Sequence, residues 1–393
     1  MKRVESRERL VRCLGLRVLV MLVLLSPIDT ARGQVSALVQ STREYARAIA
    51  AVQDDLEKGR PSVALEKLAA TNEALRSFEY AYLRARAQAA DPDGKSPDLM
   101  RVIAAPDVAA RYGVFDAVNQ QLVYICRDGK LRVFALDNAA SDPQVVDYQQ
   151  GGSIWSGAFS RDGSTFATGH ENGEVVVWDA ATWKQRHVIP LGKRQPVREI
   201  AVAPDGSALV AEGPADMELW SLGGDKPAKV AAVGERYNFG EGLAFSPQGN
   251  LLATGGMFDI HLHNVQTGEL VRSIHHASYT MGLQFSPDGH RIASAPRGNV
   301  NKVLAVFDVA QGNQLSDAGP FECYVHGLAF SSDGKRVVGT ACDKIPAIQF
   351  YDAATGELVF VLSRSEPGVM ATFSPDGRMF GWSESSGYRL ISL

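Results

Sequence analysis

The sequence predicts an all-β, seven-bladed propeller preceded by a small α-helical hairpin segment, and three observations lead there. A short turn signature recurs seven times at near-equal intervals, the stretches between its copies are rich in β-branched and aromatic residues, and a helical period is confined to the region ahead of the first copy. The 393 residues are 45% hydrophobic and 21% charged, which is enough apolar material to offset chain entropy and excludes collagen-like and generally disordered chains.

Residues 1–33 read as an export signal. Basic residues run to Arg17, Val18 to Leu25 is an unbroken apolar run, and Ala31-Arg32-Gly33 puts small residues where a signal peptidase reads. Cleavage near Gly33, before Gln34, leaves an exported protein, periplasmic or secreted, whose only membrane contact is through an uncleaved leader. The apolar run is far short of the roughly 20 residues a membrane-spanning helix needs. The leader carries seven basic and three acidic residues, so the remaining chain holds 33 basic against 41 acidic, a charge of −8. That acidity disfavours a nucleic-acid partner, whose phosphates it repels.

Residues 34–96 form the helical segment and its linker. Leu38, Tyr45, Ile49, Val52 and Leu56 recur at helical spacing with one buried stripe, and Gly59-Arg60-Pro61 suits a helix end followed by a new first turn. Val63, Leu65 and Leu68 continue on a second helix, and Leu75, Phe78, Tyr82 and Leu83 on a third that runs to Ala90. The stripe is expected to pack on the large domain or on another copy, the other reading being a small peptide-binding groove. The polar stretch from Asp91 to Pro97 marks a domain boundary.

Residues 97–393 carry the repeats. Each has an apolar strand, a Ser-Pro-Asp-Gly type turn, a second strand, a Gly-containing turn and a third strand ending in an aromatic and often Asp. The turns begin at Phe159, Val202, Phe245, Phe285, Phe330 and Phe373, with a degenerate copy at Phe115 in which Asn119 is expected to take the left-handed backbone of the Gly. The marker positions 119, 163, 206, 249, 289, 334 and 377 stand 40 to 45 residues apart. Pro presets the first corner, Asp accepts local amides and Gly supplies the positive φ of a tight reversal. The Thr-Gly-Glu turns at 267–269 and 355–357 lead into a fourth strand, so each repeat describes a four-stranded blade.

These residues resemble the WD-repeat β-propellers of the bacterial kind, with Trp178-Asp179, Phe307-Asp308 and Tyr351-Asp352 standing where that family ends its third strand. The Gly-His pair that usually opens a repeat is nearly absent; only His276 falls in its place. No blade therefore shows the family's full His, Ser/Thr, Asp, Trp set, and packing is expected to hold the blades. The resemblance implies ring closure by residues 99–103, which would complete the last blade from outside.

Enzymatic motifs are missing: there is no phosphate loop, no His-Glu-x-x-His and no Gly-x-Ser-x-Gly. His261 and His263 share a strand face, but no Asp or Cys sits at ligand spacing, so no metal is expected, nor any other cofactor. Cys323 and Cys342 flank one hairpin and stand nearly opposite; they form either a disulfide or two buried thiols. Four residues before each marker aromatic or Val, the repeats carry Arg111, Trp155, Arg198, Glu241, Met281, His326 and Val369. This mixed ring favours recognition over catalysis. Two positions earlier, three consecutive blades carry Phe239, Tyr279 and Tyr324, an aromatic patch of the kind that anchors protein interfaces. The expected function is a non-enzymatic, exported scaffold that presents a propeller loop face to a protein partner. The alternative is a propeller enzyme or small-ligand binder, lactonase-like or quinoprotein-like, with its site at the central channel near Arg111, Arg198, Glu241 and His326.

Overall fold

The structure, a computed structural model, describes residues 34–89, 100–104, 110–116, 118–136, 142–148, 152–192, 195–213, 216–235, 242–276, 279–297, 304–319, 325–341, 347–363, 371–374, 376–384 and 387–392. The leader expectation falls on residues 1–33, outside that set. Seven antiparallel sheets of four strands follow one another around a ring. Blades 1 to 6 each use four consecutive strands, and blade 1 begins with Ala110–Asp116. Blade 7 takes Ala371–Phe373, Met379–Glu384 and Gly387–Ser392 from the chain end, and Met100–Ala104 from before blade 1 as its outermost strand. Met100 pairs with Ile391 and Ala104 with Gly387, so the ring closes by a strand added from outside.

The turn signature has a part the sequence reading left unexplained, its serine. Ser160, Ser246, Ser286, Ser331 and Ser374 each accept, at 2.8–3.0 Å, the amide of the residue five positions on, which opens the second strand. Four of these hydroxyls donate in turn to the Asp two residues later, and that Asp accepts the amide beyond the Gly. Serine thus ties the two strands of the hairpin together while Asp ties the corner, which leaves Gly to take φ between +67° and +76°. In blade 1 the expectation for Asn119 does not hold. The left-handed residue is its neighbour Gln120, at φ 51°, and the Asn119 side chain donates instead to Asp116 and to the Gly163 carbonyl of blade 2.

The helical segment packs on the propeller. Helix α1 spans 34–57, α2 Pro61–Ala69 and α3 Phe78–Ala89. Gly59 takes φ +68° at the end of α1 and Pro61 opens α2, as the sequence suggests. The third helix starts later than the apolar spacing implies, because Asn72 caps a single 3-10 turn at Glu73–Leu75. Arg76 reaches back to the Ala69 and Thr71 carbonyls and so satisfies the end of α2. Tyr45, Ile49, Val52, Leu68 and Leu83 are buried, whereas Leu38 and Val63, expected in the stripe, are exposed.

Phe78 is the wedge. It stacks on Phe350 of blade 6 at 5.6 Å and meets Phe373 and Phe380 of blade 7, both at 5.3 Å. Beneath it lies a buried ionic network in which Arg336 and Glu79 are both 0% exposed. Arg336 pairs with Glu79 at 2.6 Å and Asp352 at 3.2 Å and donates to the Leu75 carbonyl, while the Tyr45 hydroxyl donates to Glu79 at 2.8 Å. Burial, then the Glu79 charge, push the Tyr45 pKa up, so its proton stays in that bond. Ser77 donates to Asp333 in the blade 6 turn, and Gln53 donates to the Val361 carbonyl on the outer strand. The arm therefore grips the turn end and outer edge of blade 6 and the seam with blade 7.

Candidate functional site

Because every inner strand runs the same way, its two ends define two faces. One carries the Ser-Pro-Asp-Gly turns; the other carries the loops that enter each blade. On the turn side a cavity of about 430 Å³ opens along the axis, lined by all seven blades through residues such as Phe115, Phe159, Leu243, Leu283, Leu328 and Phe373. Of the polar side chains there, Asp116, Ser160, Gln284 and Ser374 are bonded into their own turns or to a neighbouring strand. Neither Arg111 nor Arg198 lines this cavity. The expected channel site and the actual cavity thus lie at opposite ends of the inner strands.

On the loop side, the residues aligned four positions before the marker share a structural device. In blade 1 Ala110 pairs with Cys126 and Tyr112 with Ile125, so Arg111 is the extra residue of a β-bulge. Trp155, Met281 and His326 are the extra residues of the same bulge in blades 2, 5 and 6. Each bulge shifts the pairing by one residue and re-aims the extra side chain at the same distance from the turn, which is why a position counted from the turn converges at the opposite face. Arg198 precedes the inner strand of blade 3, Ile200–Val202.

Three of the expected residues meet there. The guanidinium carbon of Arg111 lies 3.8 Å from the Trp155 ring centroid, and that of Arg198 lies 5.6 Å from it. Both are within cation–π range. The backbone under Arg198 is fixed at three points: Val197 donates its amide to the His170 carbonyl at 3.1 Å, the Ser156 hydroxyl donates to the Val197 carbonyl at 2.7 Å, and the Arg198 amide donates to Glu212 at 3.0 Å. Gly169 allows that approach, since a Cβ there would sit 2.3 Å from the Ser156 Oγ.

Below this corner blade 2 holds a partial version of the hydrogen-bond set expected to be missing. Trp178 Nε1 donates to Thr168 Oγ1 at 2.9 Å, and His170 Nε2 lies 2.9 Å from the same oxygen, with the His on the strand of the Thr rather than in an entering loop. Burial pushes the His170 pKa down to about 4, so the ring is neutral. In blade 4 His263 occupies the Trp178 position, paired with Leu252 as Trp178 is with Phe166. It lies 3.5 Å from Thr254 and 3.3 Å from the Gly268 carbonyl, and burial lowers its pKa too. His261 bonds to Ser273 at 3.0 Å. Both rings are thus held in blade 4, and among the described residues no group of three His, Cys, Asp or Glu is placed to ligate a metal.

Phe239, Glu241, Tyr324, Cys323 and Cys342 fall outside the described residues, so the disulfide expectation lies there as well. Tyr279 opens the inner strand of blade 5 and His326 is in that of blade 6, both at the loop end, and only their backbone is described. An exposed aromatic that no count from the turn could find lies on the same face. Phe258 sits in the loop between the second and third strands of blade 4, on the same face, and is 50% exposed. Its carbonyl accepts the His276 amide at 2.6 Å, which fixes the loop, and the exposed pair Asp259 and His275 lies beside it at 3.4 Å. The Met-Phe dipeptide at 257–258, between Gly-Gly and Asp, was the available sequence signal.

The WD domain, G-beta repeat pattern matches residues 144–179, which are the outermost strand of blade 1 and the first three strands of blade 2 with the Trp178–Thr168–His170 chain. Periodic tryptophan protein 2 homolog of Dictyostelium discoideum is 26% identical over 211 residues, covering 50% of this chain and 21% of that protein. Autophagy-related protein 16 of Arabidopsis thaliana is 22% identical over 249 residues, covering 60% of this chain and 47% of that protein. The matches span less than half the length of either relative. Among solved structures, the Cps50 (Swd1) β-propeller domain of Myceliophteria thermophila superposes with a TM-score of 0.61 at 14% identity, over 75% of this chain and 99% of that one. A chain of the mitotic checkpoint complex does so at 0.63 and 16%, over 75% and 91%. The fold is a seven-bladed β-propeller that includes a WD repeat, preceded by a short helical segment.

Proposed function

We propose that this propeller is a non-enzymatic scaffold that binds a protein partner on its loop face, and that it does so after export, with the leader removed near Gly33. The observation that carries the reading is Phe258, a large apolar ring half exposed on a loop fixed by a backbone hydrogen bond. An exposed aromatic on a rigid support loses little entropy on docking and is a common anchor of protein interfaces. The helical arm grips the opposite face, so among the described residues nothing of the chain itself covers this one. Phe239, Tyr279 and Tyr324 enlarge the apolar sector in this proposal; Glu241 and His326 add polar groups to its rim. The likeness to chains that work in assemblies, the mitotic checkpoint complex among them, supports the same reading.

The test is a capture experiment on an envelope extract, with the full chain as bait beside a Phe258→Ala variant and an Arg161→Ala variant on the turn face. Specific proteins retained by the wild type and by Arg161→Ala, and at least tenfold depleted on Phe258→Ala, are the expected result. Equal retention on all three baits, or none, refutes the loop-face assignment.

A further inference from the structure

The loop face has a second, chemically different sector, built around Trp155. Its position rests on two β-bulges and a three-point backbone clasp, so a charged side chain at Arg198 projects from a fixed base. Arg198 is exposed, and among the described residues no carboxylate lies within ion-pair distance of its guanidinium. Its guanidinium carbon stands 5.6 Å from the Trp155 ring centroid, close enough for a cation–π attraction. Stacking leaves the N–H edge of an arginine available, and that edge matches a carboxylate bidentately. The surroundings narrow the ligand further. Glu171, Glu199 and Glu212 flank the corner, and Glu212 already takes the Arg198 amide. These three charges repel a polyanion more strongly than a single carboxylate, because the repulsion scales with the ligand's charge.

We propose that Arg198, with Arg111 on the same Trp155 ring, is a carboxylate-reading subsite of the loop face that takes a single Asp or Glu side chain from an extended segment of the partner. This rests on the loop face being the partner-binding surface and adds the partner's chemistry. Arg198 makes the contact; Trp155 and Arg111 hold the stack, and Ser156, Glu212 and Gly169 position the backbone.

Trp155 provides a local readout, because the chain has only five tryptophans and hence five indole N–H resonances in the 15N-labelled protein. A Trp155→Phe variant assigns its resonance. The probe is the capped peptide Gly-Phe-Glu-Phe-Gly, titrated to millimolar concentration beside its Gln analogue and its phosphoserine analogue. The expected result is a saturable shift of the Trp155 resonance by the Glu peptide, at least fivefold weaker binding to Arg198→Gln, and no shift by the Gln peptide. No shift, an equal response to Glu and Gln, or unchanged binding by Arg198→Gln overturns the proposal. So does tenfold tighter binding of the phosphoserine peptide, which would make this a phosphate site. Phe258 lies in a different blade, so loss of capture by Phe258→Ala with no Trp155 shift refutes this subsite alone and leaves the scaffold reading standing.

Discussion

His170 shows how one side chain ties blade stability to pH. Buried against Thr168 and Trp178, it stays neutral in the folded protein down to about pH 4 against an ordinary value of 6.5. The unfolded chain takes up that proton as pH falls through 6.5, and the folded chain does not until about 4. The native state therefore has its full stability above pH 6.5 and loses up to about 3 kcal/mol as pH falls to 4. Urea unfolding of the wild type and His170→Gln at pH 7 and pH 4.5 isolates this effect, because the carboxylates common to both cancel. The wild type is expected to lose more stability than the variant over that interval; parallel losses would mean that His170 protonates as readily folded as unfolded. The neutral imidazole also accounts for a blade that keeps a polar chain in its interior without a charge to compensate.

At the scale of the element, the hairpin turn carries its stability in the serine. Two blades lack it: Asp116 stands in the serine position in blade 1, and Ala203 in blade 3, where the Asp205 carboxylate is taken by Ser207 instead. Ser286→Ala is expected to cost about 1 to 2 kcal/mol, since it strands the half-buried amide of Arg291, whereas Ala203→Ser should gain up to about 1 kcal/mol by capping Ala208. Urea midpoints of the two variants check both signs. These turns are also why the ring was legible in the sequence: the corner chemistry is local, repeated and dictated by residue type. The bulge ring was legible for the same reason, since Arg111 and Trp155 lie a fixed number of strand residues from a turn. Phe258 was not, because the loop that carries it is not in register with the turn. The docking of the arm was only half legible. Apolar spacing shows a buried stripe, but nothing local to Glu79 announces Arg336, which lies 257 residues away.

For the molecule as a whole, that ion pair joins arm to ring, and removing one partner tests the joint. Arg336→Ala leaves the Glu79 carboxylate buried with only the Tyr45 hydroxyl and frees the Leu75 carbonyl. A loss of about 3 to 5 kcal/mol is expected, and Arg336→Met with Glu79→Gln should recover much of it by removing both charges. Unfolding followed by circular dichroism, with limited proteolysis of the arm, separates loosening of the arm from collapse of the ring. A single-site loss below about 1 kcal/mol would mean that the aromatic wedge at Phe78 holds the arm without the ionic network.

The placement of the arm and of strand Met100–Ala104 also sets an order of events in time. Both precede the ring in the chain, yet the arm docks on blades 6 and 7 and the strand completes blade 7, which are made after the other blades. The apolar face of the arm therefore waits through the synthesis of five blades, and the circle cannot be sealed until the final strand emerges. Long-range pairing of this kind is slow and leaves sticky intermediates exposed.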